Sequence, residues 1–86
     1  MSVETAQTVA LKGLAFLAED EDRLQQLFSL TGMDSDTLRA QADEPETLGA
    51  VVDFLLGDEP LLIRFCESSG LDPKSIHLAS HVLANA

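Results

Sequence analysis

Apolar residues recur at helical spacing along the whole chain, and no stretch alternates with the period of two that a half-buried strand requires. The pattern predicts an all-α fold: one compact bundle of five to six short helices in a single domain, residues 1–86. Ser2 can cap a first helix running to about Ala18, with Val3, Ala10, Leu14 and Leu17 along one stripe. Asp20 reads as the next N-cap, followed by Leu24, Leu27 and Phe28, and Gly32 stops that helix. Asp34 caps a third helix with Leu38 and Ala42 inward. Pro45 suits the first turn of a fourth, which carries Leu48, Val51, Val52 and Leu55 and ends near Gly57. Asp58-Glu59-Pro60 opens a fifth, closed by Gly70, and Asp72-Pro73 opens a sixth with Ile76, Ala79 and Leu83. Several of these are under three turns long and depend on packing to persist.

The same phrase is written twice. "FLAEDEDRLQQLFSLTGMD" from Phe16 aligns without a gap on "FLLGDEPLLIRFCESSGLD" from Phe54, 38 residues later, with seven identities in 19 positions. Five of the matches (Asp20 with Asp58, Glu21 with Glu59, Leu24 with Leu62, Gly32 with Gly70, Asp34 with Asp72) fall where helix starts, stops and apolar stripes are locally constrained. Phe16 with Phe54 and Leu17 with Leu55 are not cap positions, and they favour a duplicated three-helix unit, residues 16–42 and 54–80, over two independent solutions of one capping problem. Two units are fewer than a solenoid needs, so the expectation is two similar halves covering each other's apolar faces.

Composition narrows the function classes. The formal charge is -10, from five Lys and Arg against fifteen Asp and Glu. The cations are scattered singly, so nucleic-acid binding, which needs clustered Lys and Arg, is not expected. Thirteen of the fifteen acids fall at expected N-caps or first turns, where they meet orphan N–H groups and the positive end of the macrodipole. No apolar run approaches the ~20 residues of a membrane span. The start "MSVETAQTVALKG" has no basic segment ahead of an apolar one, and a single cysteine, Cys66, allows no intrachain disulfide. A cytoplasmic protein without membrane contact is the expectation.

Candidate chemistry thins out on inspection. "DSD" and "EDED" suggest calcium loops, but counting from Asp34 puts Leu38, Arg39 and Pro45 at the fifth, sixth and twelfth positions, and counting from Asp20 fails similarly. His77 and His81 share one helix face, with Leu78 where a zinc protease needs Glu, and no third ligand is evident. Cys66 takes the place of Phe28 in the repeat and reads as an inward, inert thiol. Ser35, after Asp34 at a helix start, invites comparison with acyl carrier proteins, which bear phosphopantetheine on such a serine. Carriers follow that serine with Leu or Met, whereas Asp36 stands here. The expectation is no enzyme, no metal and no cofactor, with an acyl-carrier-like protein modified at Ser35 as the alternative.

The differences between the repeats point elsewhere. Where the second helix reads "RLQQLF", the fifth reads "LLIRFC" from Leu61, apolar around most of its circumference with Arg64 as the polar gap. Such a helix either lies centrally in the bundle or presents a face to a partner. Leu61, Ile63, Arg64 and Phe65 are therefore the candidate interface, for another protein or for a second copy in a homodimer. The leading expectation is a protein–protein interaction or regulatory module.

The run "FLLGDEPLLIRFCESSGLDP", with "FLAEDEDRLQQLFSLTGMD" and "LRAQA", resembles an uncharacterised family of short acidic proteins from alphaproteobacteria. The likeness spans about Ala10 to Ile76 and is most specific at Asp58-Glu59-Pro60 with Leu61, Leu62 and Phe65. Gly57 stands where Ala or another small residue is expected. The resemblance implies an all-helical domain in a bacterial cytoplasm and carries no activity with it.

Overall fold

The computed structural model describes residues 1–86 and contains six helices and no strand. They are α1 (Val3–Ala18), α2 (Glu21–Thr31), α3 (Ser35–Ala40), α4 (Pro45–Leu56), α5 (Glu59–Ser69) and α6 (Pro73–Ala84). No helix is long and apolar enough to cross a membrane.

Side-chain caps set the starts. Ser2 Oγ accepts from the Thr5 amide at 3.1 Å, Asp34 Oδ1 from Thr37 at 2.8 Å, Asp58 Oδ1 from Leu61 at 3.2 Å and Asp72 Oδ1 from Lys74 at 2.9 Å. Asp20 Oδ1 reaches the amides of both Asp22 and Arg23. Each bond satisfies an N–H that the helix itself cannot. The Asp34 carboxyl lies below its usual 3.8, chiefly because it accepts from the Thr37 amide and hydroxyl. Glu44 makes no such bond, and α4 relies on Pro45 at its first position instead.

The stops of α2 and α5 match in detail. Gly32 and Gly70 adopt left-handed φ of 74° and 75°, and their amides bond back to the Phe28 and Cys66 carbonyls. Just ahead of each glycine sits a hydroxyl that works in both directions. Thr31 Oγ1 donates to the Leu27 carbonyl at 2.8 Å and accepts from the Met33 amide; Ser69 Oγ donates to the Phe65 carbonyl at 2.7 Å and accepts from the Leu71 amide.

The third helices of the two units part company. α6 runs for 12 residues and lies against both α1 and α4, whereas α3 is 6 residues long and packs closely on neither. Pro45 keeps this segment from running on as helix past Asp43, because the residue before a proline is pushed out of the helical region. Glu44 is accordingly extended at φ -77° and ψ 127°. The helix expected to carry Ala42 inward ends at Ala40, and Ala42 falls in the following turn, half-buried. The likeness between the halves therefore holds for the ends of α2 and α5 and fails for α3 and α6.

Sixteen buried residues from five helices form one core. α1, α4 and α6 pack mutually at its centre, and α2 and α5 flank them. The buried face of α1 is Ala6, Val9, Ala10, Gly13 and Leu17. That corrects the expected stripe: Val3 is exposed and Leu14 half-buried, because the helix turns its small residues inward to approach its neighbours closely. α4 buries Leu48, Val51, Val52 and Leu55 as its spacing predicts, and α6 buries Ile76, Ala79 and Leu83.

A Cβ added at Gly32 or Gly70 meets nothing within 4 Å, so its only cost is the left-handed backbone. Gly32→Ala and Gly70→Ala should each lower stability by about 1 kcal/mol, and by matching amounts, in urea denaturation.

Candidate functional site: a groove between the first and fifth helices

α5 turns one apolar face inward. Of the four interface candidates, Leu61 and Phe65 are 2% and 1% exposed, whereas Ile63 is 46% exposed and Arg64 lies at the surface. Leu62 and Cys66 complete the inward face. α5 is thus built into the core along the very residues that made it look free. A dimer face resting on Leu61, Ile63 and Phe65 together is not available, because two of the three are spent on the interior.

The inward face of α5 also meets α1. Phe16 is half-buried and packs on Phe65 with ring centroids 5.4 Å apart and planes tilted by 51°. An open depression lies on each side of Phe16. One, of about 240 Å³, runs between Lys12, Ala15 and Glu19 of α1 and Ser68 and Ser69 of α5. The other, of about 210 Å³, is bordered by Glu19, Asp20, Arg23, Leu61 and Arg64. Most of the lining falls on two stripes: Lys12, Ala15 and Phe16 of α1 continuing to its C-cap Glu19, and Leu61, Arg64, Phe65 and Ser68 of α5, with Asp20 and Arg23 at the start of α2 closing one end. Both follow the i, i+3, i+4, i+7 spacing that puts residues on one face. Together the depressions form a groove with an aromatic ring at its middle.

The charges around it are unlike those elsewhere. Lys12, Arg23 and Arg64 are three of the chain's five basic residues. Arg23 makes the one ion pair of the chain, Nη1 to Asp58 Oδ2 at 3.1 Å. Both partners are about a third exposed, so the pair contributes roughly 0.2–1 kcal/mol. Its geometric effect is larger, since the other Asp58 oxygen caps α5 and the pair ties the start of α2 to the start of α5. Lys12 and Arg64 have no ion-pair partner.

Larger depressions, of about 430 and 570 Å³, flank the outer face of α4. Glu44 and Glu46 line both and Asp53 the second, with Gly49 and Ala50 on the floor and no cation or aromatic ring. Volume alone favours them; anchoring chemistry favours the groove at Phe16.

The remaining candidates stay apart from one another. His77 and His81 lie exposed on α6, and no group of three His, Cys, Asp or Glu side chains is placed to hold a metal ion. Cys66 is buried, and burial, with the Asp72 carboxylate adding to it, pushes its thiol up. Ser35 is exposed at the first position of α3, beside the capping Asp34. Lys12 and Phe16 were not legible as site residues. Their stripe is visible in the sequence, but only the tertiary fold lays α5 beside it.

These features define a small six-helix all-α domain whose surface holds one aromatic groove. The chain belongs to the family described as a protein of unknown function (DUF3572), whose model matches residues 3–86. The resemblance seen over Ala10 to Ile76 thus extends over nearly the whole chain. No curated protein matches it, and no solved structure does.

The division of α5 is directly measurable. Phe65→Ala should lower stability by about 3–5 kcal/mol through cavity formation, whereas Ile63→Ala and Arg64→Ala should each stay within about 0.5 kcal/mol in chemical denaturation.

Proposed function

We propose that the protein is a small protein-binding module, not an enzyme, and that the groove around Phe16 is its contact surface. The observation that carries this reading is an aromatic ring left half-open at the surface between two helical stripes, with three of five cations around it. Aromatic and Arg side chains are the types that dominate binding energy at interfaces, and a ring already packed on the core loses little freedom on binding. Size sets the kind of partner. A standard interface covers about 800 Å² per partner, a large share of a chain whose whole accessible surface is 5105 Å². A groove two helices wide suits a short segment of another protein. A second copy fits less well, since both copies carry a charge of -10 and Leu61 and Phe65 face inward.

Ala15 and Ser68 are exposed and both line one depression, so Ala15→Gln with Ser68→Gln fills it without touching the core or the charge. Affinity capture and cross-linking from a native lysate should recover a partner with the wild type and with Leu78→Gln on α6, and lose it with the double variant. Recovery by all three equally removes the groove from the reading, and no reproducible partner for the wild type removes the module.

Ser35 supports the second reading only through its exposure behind Asp34. Incubation with a phosphopantetheinyl transferase and coenzyme A should leave the intact mass unchanged. A gain of one phosphopantetheine would replace the binding module with a carrier.

A further inference from the structure

We infer that His77 and His81 on α6 form a two-point chelate for a divalent transition-metal ion of the zinc, nickel and copper class. The site is separate from the groove at Phe16 and does not depend on it.

Spacing supplies the geometry. Four residues of helix rise by about 6 Å and complete little more than one turn, so the two Cβ atoms stand one above the other, about 5–6 Å apart. Zinc holds an imidazole nitrogen at about 2.0–2.1 Å, which puts two donor nitrogens roughly 3 Å apart on one ion. Imidazoles on rotatable stems reach that separation by leaning together over the intervening turn. The opposite stripe of α6, Ile76, Ala79 and Leu83, is buried against the bundle, so the backbone spacing is set before an ion arrives.

The donors are also available. Both side chains are exposed, and no hydrogen bond or ion pair engages either ring. The bond from the Asn85 side chain goes to the His81 carbonyl and leaves the imidazole untouched. No third protein ligand stands beside them. That excludes a closed structural or catalytic centre, which needs three or four protein ligands. A chelate of two imidazoles, with water in the other positions, has no such requirement.

Chemistry selects the ion. Imidazole suits zinc, copper and nickel, whereas calcium and magnesium take oxygen ligands. Lys74, His77 and Leu78 line one depression of about 390 Å³ without a carboxylate among them, so a hard cation finds no ligand there. Lys74 lies one turn before His77, on the side away from His81, and its flexible stem lets the ammonium swing clear. Cys66, the competing thiol, is buried. An unfolded chain does not hold two imidazoles at this spacing, so the ion favours folded α6 and, through it, the bundle.

The chain has two histidines, so its imidazole proton NMR signals report this site alone. Titration with Zn²⁺ should shift both signals along a single saturation curve, and Mg²⁺ at equal concentration should leave them in place. His77→Ala and His81→Ala should each weaken binding at the remaining ring by at least about tenfold. Lys74→His with His77→Ala keeps two imidazoles on one face but sets them two turns, about 10.5 Å, apart. It also removes the neighbouring cation, so only the spacing can weaken it, and it should bind as poorly as the single variants. Zn²⁺ should raise the thermal unfolding temperature of the wild type and not that of the two-turn variant. The substituted positions are all exposed, so without metal the variants should unfold at the wild-type temperature. Unrelated saturation curves for the two signals, equal shifts with Mg²⁺, or wild-type affinity in the two-turn variant overturns the chelate.

Discussion

The close approach of α1 to α4 at Gly13 governs the rest of the molecule. A Cβ at that position would stand 2.8 Å from Leu55 Cδ1 and 3.8 Å from both Val51 Cγ1 and Phe65 Cζ. Leu55 is almost wholly buried and has little room to retreat. Absence of a side chain at one point of α1 thus lets three core residues from two other helices meet there. Ala6 and Ala10 extend the same low profile toward the start of the helix, and α6 lies across the pair with Ile76, Ala79 and Leu83. Because Phe65 reaches the α1 backbone at Gly13, its ring is held where Phe16, one turn further on, can stack on it. The groove is a consequence of the core contact beneath it. In a chain this short, with a total stability of roughly 4–13 kcal/mol, losing any one large core side chain costs a substantial share.

The acidity follows largely from the helix count. Six short helices present six N-termini with unsatisfied N–H groups, and Asp is among the best residues to meet them. Asp20, Asp34, Asp58 and Asp72 each accept a capping bond, and Glu4, Glu21, Asp22, Asp36, Glu46 and Glu59 fill first turns. Asp43, Asp53 and Glu67 lie away from the helix starts, and so does Glu19. It was expected among the helix starts, but it is the C-cap of α1, where its charge faces the negative end of the dipole. It also borders both depressions of the groove. It stands at the same time next to Asp20, the N-cap of α2, where the positive end of that helix offsets the mismatch.

The order of helices, their starts and the two glycine stops were legible because each is decided within a few residues. Asp-x-x and Gly-apolar-Asp carry their own hydrogen-bond partners, and the structure closes them as the sequence predicts. The inward face of α1 was legible only in part. Ala10 and Leu17 are buried as expected, but Val3 and Leu14 were expected inward where burial went to Ala6, Val9 and Gly13. What decides there is how near α4 can come, which the sequence of α1 alone does not state. Nor was the fate of α5 readable residue by residue. Its composition allowed a central helix or a partner face, and the structure divides it, giving Leu61 and Phe65 to the core and Ile63 and Arg64 to the surface. The groove needed one further fact, that α5 lies alongside α1.

The internal repeat bears on the groove through its mismatches. At an offset of 38 residues, Phe16 corresponds to Phe54, and both are half-buried against the core. The surroundings do not correspond: Lys12 is replaced by Ala50, Glu19 by Gly57, Arg64 by Gln26 and Ser68 by Leu30. Burial diverges as well, since α2 buries only Leu27 where α5 buries Leu61, Leu62, Phe65 and Cys66. The two units agree at Asp20 and Asp58, at the hydroxyls of Thr31 and Ser69, and at Gly32 and Gly70, all positions where helix ends dictate the residue. Lys12, Arg64 and Ser68 lie outside those constraints, on exposed helix faces that any polar residue satisfies. Neither capping nor core packing asks for cations there. Their meeting around one aromatic ring, in one unit and not in its counterpart, is the feature of the surface that folding physics leaves unexplained.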